Sequence, residues 1–295
     1  MRIDRMLASL AIAIAFASPQ SSPKVLPVGP LPTAFLAYGF SPNSKRIVYS
    51  KLDDAVNFDP KKRNIWIANA DGSNARIVTS GVGRPEWTGD GASLIYIKPT
   101  ATGDDLCRFD IASKTETSLG LNLVVGGGAR CSKTNRIVFA ARLTNREQQC
   151  FTCTLDGQDV RQITFGRGQA FDPVWSPDGT KIAYFRELGD GKDQIWVINP
   201  DGSNPLRISD PAKHNYYPEF GPNGSVSYMS HLTKNSQSFL LHNMRGRTLS
   251  TFAYRTESIR WSPDGKRAIF AVSDGEKMAL YVCNADGSGP KRIGQ

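Results

Sequence analysis

Pro173-Val174-Trp175-Ser176-Pro177-Asp178-Gly179-Thr180-Lys181-Ile182-Ala183-Tyr184 returns in altered form as Ile259-Arg260-Trp261-Ser262-Pro263-Asp264-Gly265-Lys266-Arg267-Ala268-Ile269-Phe270. Each copy leads into an aromatic and apolar run that ends in Asp-Gly: Ile195-Trp196-Val197-Ile198-Asn199-Pro200-Asp201-Gly202, and Leu280-Tyr281-Val282-Cys283-Asn284-Ala285-Asp286-Gly287. Four weaker copies fit the same frame. The anchor position held by Trp175 is filled in turn by Phe40, Trp87, Cys131, Trp175, Phe220 and Trp261, at steps of 47, 44, 44, 45 and 41 residues. A fixed period near 44 with four strand-like runs per copy is the pattern of a propeller blade. The expected fold is all-β: a six-bladed β-propeller of four-stranded antiparallel blades over residues 34–295.

One unit is readable from its chemistry. The first strand ends at the anchor, whose ring packs into the gap between neighbouring sheets. Ser-Pro-Asp-Gly reverses the chain, with Pro setting φ at the first central turn position and Gly taking the left-handed one. Lys181 to Phe185 reads as a second strand and Ile195 to Asn199 as a third. A second tight turn follows at Asp71 to Asn74 and at Asp201 to Asn204. Short fourth strands such as Ala75 to Val78 and Pro205 to Ile208 complete the blades. Apolar residues on both sides of the central strands fit sheets buried on two faces.

The Trp-Ser-Pro-Asp-Gly-x-x-Ile-Ala-Tyr block, followed by Ile-Trp-x-x-Asn-x-Asp-Gly, resembles the TolB-type propeller repeat, a WD-like family of bacterial envelope proteins. The resemblance covers about residues 34 to 295, strongly in the first, fourth and sixth copies and weakly in the second, third and fifth. It implies a propeller and an envelope location. The α/β domain that precedes the propeller in TolB itself has no counterpart expected here, so a role in the Tol complex is not implied.

Composition and the N-terminus agree with export. Arg2 and Arg5 precede an apolar run from Met6 to Phe16, and Ala15-Phe16-Ala17 offers a small-x-small cleavage site. Residues 1–17 are expected to be a signal peptide, too short to span a bilayer, and 18–33 a Pro/Ser-rich linker. No membrane span is expected after cleavage, and the mature protein is expected to be a periplasmic or secreted monomer. The formal charge is +9. In an exported chain that favours an anionic polysaccharide, a small anion or an acidic envelope protein over nucleic acid. The five cysteines cannot all pair. Cys150 and Cys153, three apart on a strand, point to opposite faces. Small buried hydrophobes are the first expectation, and a Cys107 to Cys131 disulfide is the alternative.

The Ser-Pro-Asp-Gly and Asp-Gly turns share one end of the propeller. The other end is expected to carry longer loops: Lys51 to Asn64, Thr100 to Asp105, Arg142 to Gln149, Gly166 to Phe171, Asp210 to Tyr217 and Ala253 to Ser258. Recognition sits commonly in such loops. They and their surroundings hold Lys61-Lys62-Arg63, Arg84, Arg142, Arg146, Arg167, Asp172, His214, Tyr216, Tyr217 and Arg255. Arg84, Arg130, Arg167, Asp172, His214, Tyr216, Tyr217, Arg255 and Arg260 are the candidate ligand or partner residues. The residue before each anchor runs Gly39, Glu86, Arg130, Val174, Glu219, Arg260 and is expected to face the central tunnel. This sets Glu86 against Arg130 and Glu219 against Arg260, either as structural pairs or as holders of a ligand.

No Gly-x-Ser-x-Gly elbow occurs. Gly126-Gly127-Gly128 lacks the Lys-Ser/Thr of a phosphate loop and is expected in an inter-blade loop. No catalytic residue, metal or cofactor is expected. A metal site on His214 and His231, or calcium at Asp53-Asp54 or Asp104-Asp105, is a minor possibility, and His242 reads as structural. The leading expectation is a non-catalytic scaffold that binds a protein partner or acidic ligand through its basic and aromatic loop face. The alternative is a metal-assisted polysaccharide lyase or lactonase-like enzyme with its site at the tunnel mouth.

Overall fold

The Ser-Pro-Asp-Gly reversal is held by its own side chains. The Ser176 hydroxyl donates to Asp178 Oδ1 at 2.6 Å and accepts the Lys181 N–H at 2.9 Å, while the Thr180 N–H donates to Asp178 Oδ1 at 3.0 Å. Ser262 with Asp264, Thr88 with Asp90 and Ser41 with Asn43 repeat the arrangement. The bond from Ser176 holds the Asp178 carboxyl below its usual range. The Asp-Gly turn works in the same way, with Asp201 Oδ1 accepting from the Ser203 N–H and hydroxyl at 2.9 and 2.6 Å.

A computed structural model describes residues 34–52, 63–80, 83–101, 103–142, 147–189, 192–221, 224–231, 237–242, 248–251, 256, 258–273 and 278–293. Among these the strands form six four-stranded antiparallel sheets, each consecutive in sequence. The first holds β1 (Ala34–Phe40), β2 (Arg46–Leu52), β3 (Asn64–Asn69) and β4 (Arg76–Ser80), and the second β5 (Gly83–Trp87), β6 (Ser93–Thr100), β7 (Gly103–Asp110) and β8 (Glu116–Ser118). The third holds β9 (Val124–Cys131), β10 (Arg136–Arg142), β11 (Gln148–Thr154) and β12 (Arg161–Gln162), and the fourth β13 (Gln169–Trp175), β14 (Ile182–Glu187), β15 (Gln194–Ile198) and β16 (Leu206–Arg207). The fifth holds β17 (His214–Phe220), β18 (Val226–His231), β19 (Gln237–His242) and β20 (Thr248–Thr251), and the sixth β21 (Ser258–Trp261), β22 (Arg267–Ser273), β23 (Met278–Asn284) and β24 (Lys291–Ile293). No helix among the described residues is long and apolar enough to cross a membrane.

The sheets bury their apolar faces on each other, as propeller blades do. Trp87 sits with Val48, Ile65 and Ile67 of the first sheet, and Phe220 with Ala183, Ile195 and Val197 of the fourth. Trp175 packs on Val138 and Cys150 of the third sheet, and Trp261 on Met229 of the fifth. Phe40 of the first sheet packs on Ile269, Ala271 and Leu280 of the sixth. Each anchor therefore enters the gap behind the preceding sheet, and the sixth sheet stands behind the first. Cations cap two of these rings: Arg46 lies 4.7 Å over Trp87 and Arg267 5.2 Å over Phe40.

Several expectations need correction. Gly126 to Gly128 are not in a loop but inside β9. A Cβ at Gly126 would stand 2.8 Å from Gln148 Oε1, so a larger residue there would displace the end of that side chain. Asp104 and Asp105 lie in β7, where Asp105 accepts the Ser118 hydroxyl at 2.6 Å. Cys107 and Cys131 are free thiols, like the other three. Burial pushes both up to about 12, so neither is a reactive thiolate at neutral pH. Cys150 and Cys153 do face different gaps, between the third and fourth sheets and the second and third respectively. Residues 1–33, Asp53, Asp54, Lys61, Lys62, Arg146 and Arg255 lie outside the described residues.

Candidate functional site

The first strand of each sheet is its inner edge: β1, β5, β9, β13, β17 and β21 contact one another in succession, and β21 contacts β1. Residues thought to lie in loops belong to these strands. His214, Tyr216 and Tyr217 are inside β17 and Arg84 is inside β5, and Asp172, next to an expected loop, is inside β13. The cause is a bulge three residues before the anchor. Pairing with the second strand slips between Gly83 and Glu86, between Phe171 and Val174, and between Tyr216 and Glu219. At the slips Arg84, Asp172 and Tyr217 take φ of 55°, 43° and 55°, each immediately before a proline. Proline has no N–H to lose from the ladder and is at home in a bulge. The residue before it normally stays extended, so each left-handed residue stores on the order of 1–3 kcal/mol of strain. Bulges re-aim side chains, and here they turn three polar ones.

Two layers of charge result. In the layer nearer the Ser-Pro-Asp-Gly turns, Arg130 Nη1 lies 3.5 Å from Glu86 Oε2, and Arg260 Nη1 lies 3.0 Å from Glu219 Oε2. Arg260 Nη1 also comes within 3.9 Å of Glu86 Oε2, joining the second and sixth sheets across the first. Gly39 stands at the equivalent position of the first sheet, beside Glu86. In the outer layer Arg84 Nη1 lies 3.5 Å from Asp172 Oδ1, across the third sheet, at whose equivalent position stands Gly128. The four inner side chains are 15–18% exposed. Arg130 Nε is buried with no hydrogen-bond partner.

Burial raises the Glu86 carboxyl, against the opposing pull of Arg130. It pushes Glu219 up to about 8, again against Arg130 and with help from the charge of Glu86. An unfolded glutamate titrates near 4.5. Between those values the folded chain keeps a proton that the unfolded chain has released, so stability falls as pH rises from 4.5 to 8. The slope from Glu219 is at most about 1.4 kcal/mol per pH unit. Glu219→Gln is expected to flatten that slope in urea melts recorded at several pH values; an unchanged slope contradicts the assignment.

At the loop end, Phe171 stacks on Phe185 at 5.1 Å, Phe185 meets Tyr217 edge-on at 6.3 Å, and Tyr217 meets Tyr216 edge-on at 5.1 Å. Tyr217 is 46% exposed, while Tyr216 is partly buried against the gap between the fifth and sixth sheets. Arg167 is exposed and lies in the connection before β13, which is tied down by the Arg186 guanidinium donating to the Phe165 and Arg167 carbonyls. Buried Gln149 clamps the same connection, accepting from Thr164 Oγ1 at 2.7 Å and donating to the Gly168 carbonyl at 2.8 Å. His214 is exposed and pairs in register with His231 on β18. No group of three His, Cys, Asp or Glu able to hold a metal ion occurs among the described residues.

At the turn end a cavity of about 980 Å³ opens. Its floor is Glu86, Glu219 and Arg260, and its walls include Trp175, Trp261 and Phe220. Sequence reasoning placed its loop face at the opposite end, and reached this end only through the tunnel residues Glu86, Glu219 and Arg260. The anchors and the residues before them mark this cavity once their strands are known to converge.

Residues 40–295 match the family described as the TolB beta propeller domain. The chain belongs to the TolB β-propeller family. It is similar to the uncharacterized protein Atu1656 of Agrobacterium fabrum, 24% identical over 270 residues that cover 81% of this chain and 92% of that one. Among solved structures it resembles TolB from Acinetobacter baumannii, with a TM-score of 0.66 and 17% identity over 88% of this chain and 63% of that one. It also resembles the oligogalacturonate lyase of Vibrio parahaemolyticus, with a TM-score of 0.62 and 15% identity over 90% and 80%. At such identities these two likenesses speak to the fold. This TolB-like propeller spans less than two thirds of the A. baumannii chain.

Proposed function

We propose that this TolB-like propeller is an exported, non-catalytic scaffold that binds an envelope protein through the loop end of its tunnel. The observation that carries the reading is Tyr217, an exposed aromatic locked ahead of Pro218 at a left-handed φ and braced edge-on by Phe185 and Tyr216. A rigid, amphipathic ring on a preformed surface contributes contact area at low entropic cost. In this reading Arg84 of the outer charge layer and exposed Arg167 suit an acidic partner segment, and an anionic polysaccharide or small anion presents the same chemistry. His214 extends the patch in this reading, and Asp172 aims Arg84. The six sheets act as six blades of one closed ring, preceded by a cleaved signal over residues 1–17 and a linker over 18–33, and the mature monomer resides in the periplasm or outside the cell. The family membership supports the envelope location.

The lyase or lactonase-like alternative draws on the likeness to oligogalacturonate lyase. It needs a metal at the tunnel mouth, for which Asp172 and His214 are the nearest candidates. Pull-down with the mature chain from envelope extract is expected to capture a partner that Tyr217→Ala combined with Arg167→Ala loses while the fold is kept. Undiminished capture, or a tightly bound stoichiometric metal in the purified protein, overturns the reading.

A further inference from the structure

The cavity at the turn end is separate from the loop-end patch, and its floor has its own chemistry. In both floor glutamates the ion pairs run through Oε2. Arg260 uses Nη1 for both of its contacts, so its Nε–Nη2 edge makes no hydrogen bond among the described residues, nor does Glu219 Oε1. The unbonded Arg260 nitrogens and Glu219 Oε1 are not sealed, and the residues that bear them line the cavity together with Glu86. The floor therefore offers a guanidinium edge flanked by two carboxylates.

A ligand of one sign fits this floor poorly. A lone anion on Arg260 sits beside carboxylates already 3.0 and 3.9 Å from that guanidinium, and a lone cation on the carboxylates faces Arg260 between them. A group that carries both signs within a few bonds offsets each repulsion with an attraction. The fork of Arg260 matches a carboxylate in two parallel hydrogen bonds, and an ammonium has three donors to share between two carboxylates. Above the floor, Trp175, Trp261 and Phe220 supply apolar wall. The volume of about 980 Å³ leaves room for a side chain beyond the charged head.

We propose that the turn-end cavity binds a zwitterionic solute of amino-acid type, its carboxylate on the free edge of Arg260 and its ammonium between Glu86 and Glu219. The ammonium favours the charged carboxylates, so binding releases protons that burial otherwise keeps on them.

The test is calorimetric titration of the intact chain with glycine, L-leucine, L-lysine, L-glutamate and L-phenylalanine, and with the N-acetyl and methyl-ester forms of whichever binds best. At least one free amino acid is expected to bind. Blocking either end is expected to weaken it by about tenfold or more, the size of a lost charge-assisted hydrogen bond. Glu86→Gln, which keeps shape, and Arg260→Lys, which keeps charge but not the fork, are each expected to weaken binding by roughly 10–100-fold with the circular dichroism spectrum unchanged. If the N-acetyl form binds as tightly as the free acid, the site takes anions. If the ester does, it takes cations. Either result overturns the proposal, as does the absence of binding by every free amino acid or full affinity in Glu86→Gln.

Discussion

Replacing Glu86 with leucine is expected to destabilise the fold by about 3 kcal/mol, read from urea melts. Glu86 is the sole ion-pair partner of Arg130 among the described residues, and Arg260 reaches it as well. A glutamate left alone in such a place takes up a proton, but an arginine cannot shed its charge. Arg130 already has a buried Nε without a partner. Removing its counterion leaves an uncompensated guanidinium that is 16% exposed, which is the costly way to break a buried pair. The double replacement Glu86→Leu with Arg130→Leu is expected to recover most of the loss, because an apolar pair of similar volume needs no desolvation. A single variant as stable as wild type, or no recovery in the double, contradicts the pairing.

Phe139→Ala is expected to cost about 3–5 kcal/mol. Phe139 is fully buried in the gap between the second and third sheets and stacks on Phe151 at 5.9 Å. Its neighbours Ile95, Ile97, Leu106 and Phe151 come from two sheets, so collapse of the cavity would require the sheets to shift together. A small change at Thr117, an exposed side chain on β8, is expected to stay within about 0.5 kcal/mol in the same melts.

The anchors and turns were legible in the chain because their determinants are local. Ser176, Asp178 and Gly179 close their own reversal through bonds spanning five residues or fewer, so the repeat announces itself wherever the motif stands. Glu86, Arg130, Glu219 and Arg260 stand out by a simple offset from those anchors. The reach of Arg260 to Glu86 is not legible, since it joins non-neighbouring sheets across the first. The bulges had a signal that went unused. Arg84-Pro85, Asp172-Pro173 and Tyr217-Pro218 each place a proline inside a strand, where a bulge accommodates it. Tyr217, immediately before Pro218, was expected in a loop and stands inside β17. The triple glycine misled for the opposite reason: it looks like a connector, yet it lies inside β9, with the end of the Gln148 side chain against Gly126. The Gln149 clamp on Thr164 and Gly168 is likewise invisible to periodicity, because it joins a strand to a connection of irregular length.

All of the site chemistry depends on inner strands from separate sheets meeting at one axis. The most direct measurement is a double-mutant cycle between Glu86→Gln and Arg260→Met, residues of the second and sixth sheets. Contact at 3.9 Å predicts a coupling energy of about 0.5–1 kcal/mol or more. Strict additivity of the two substitutions would contradict the convergence.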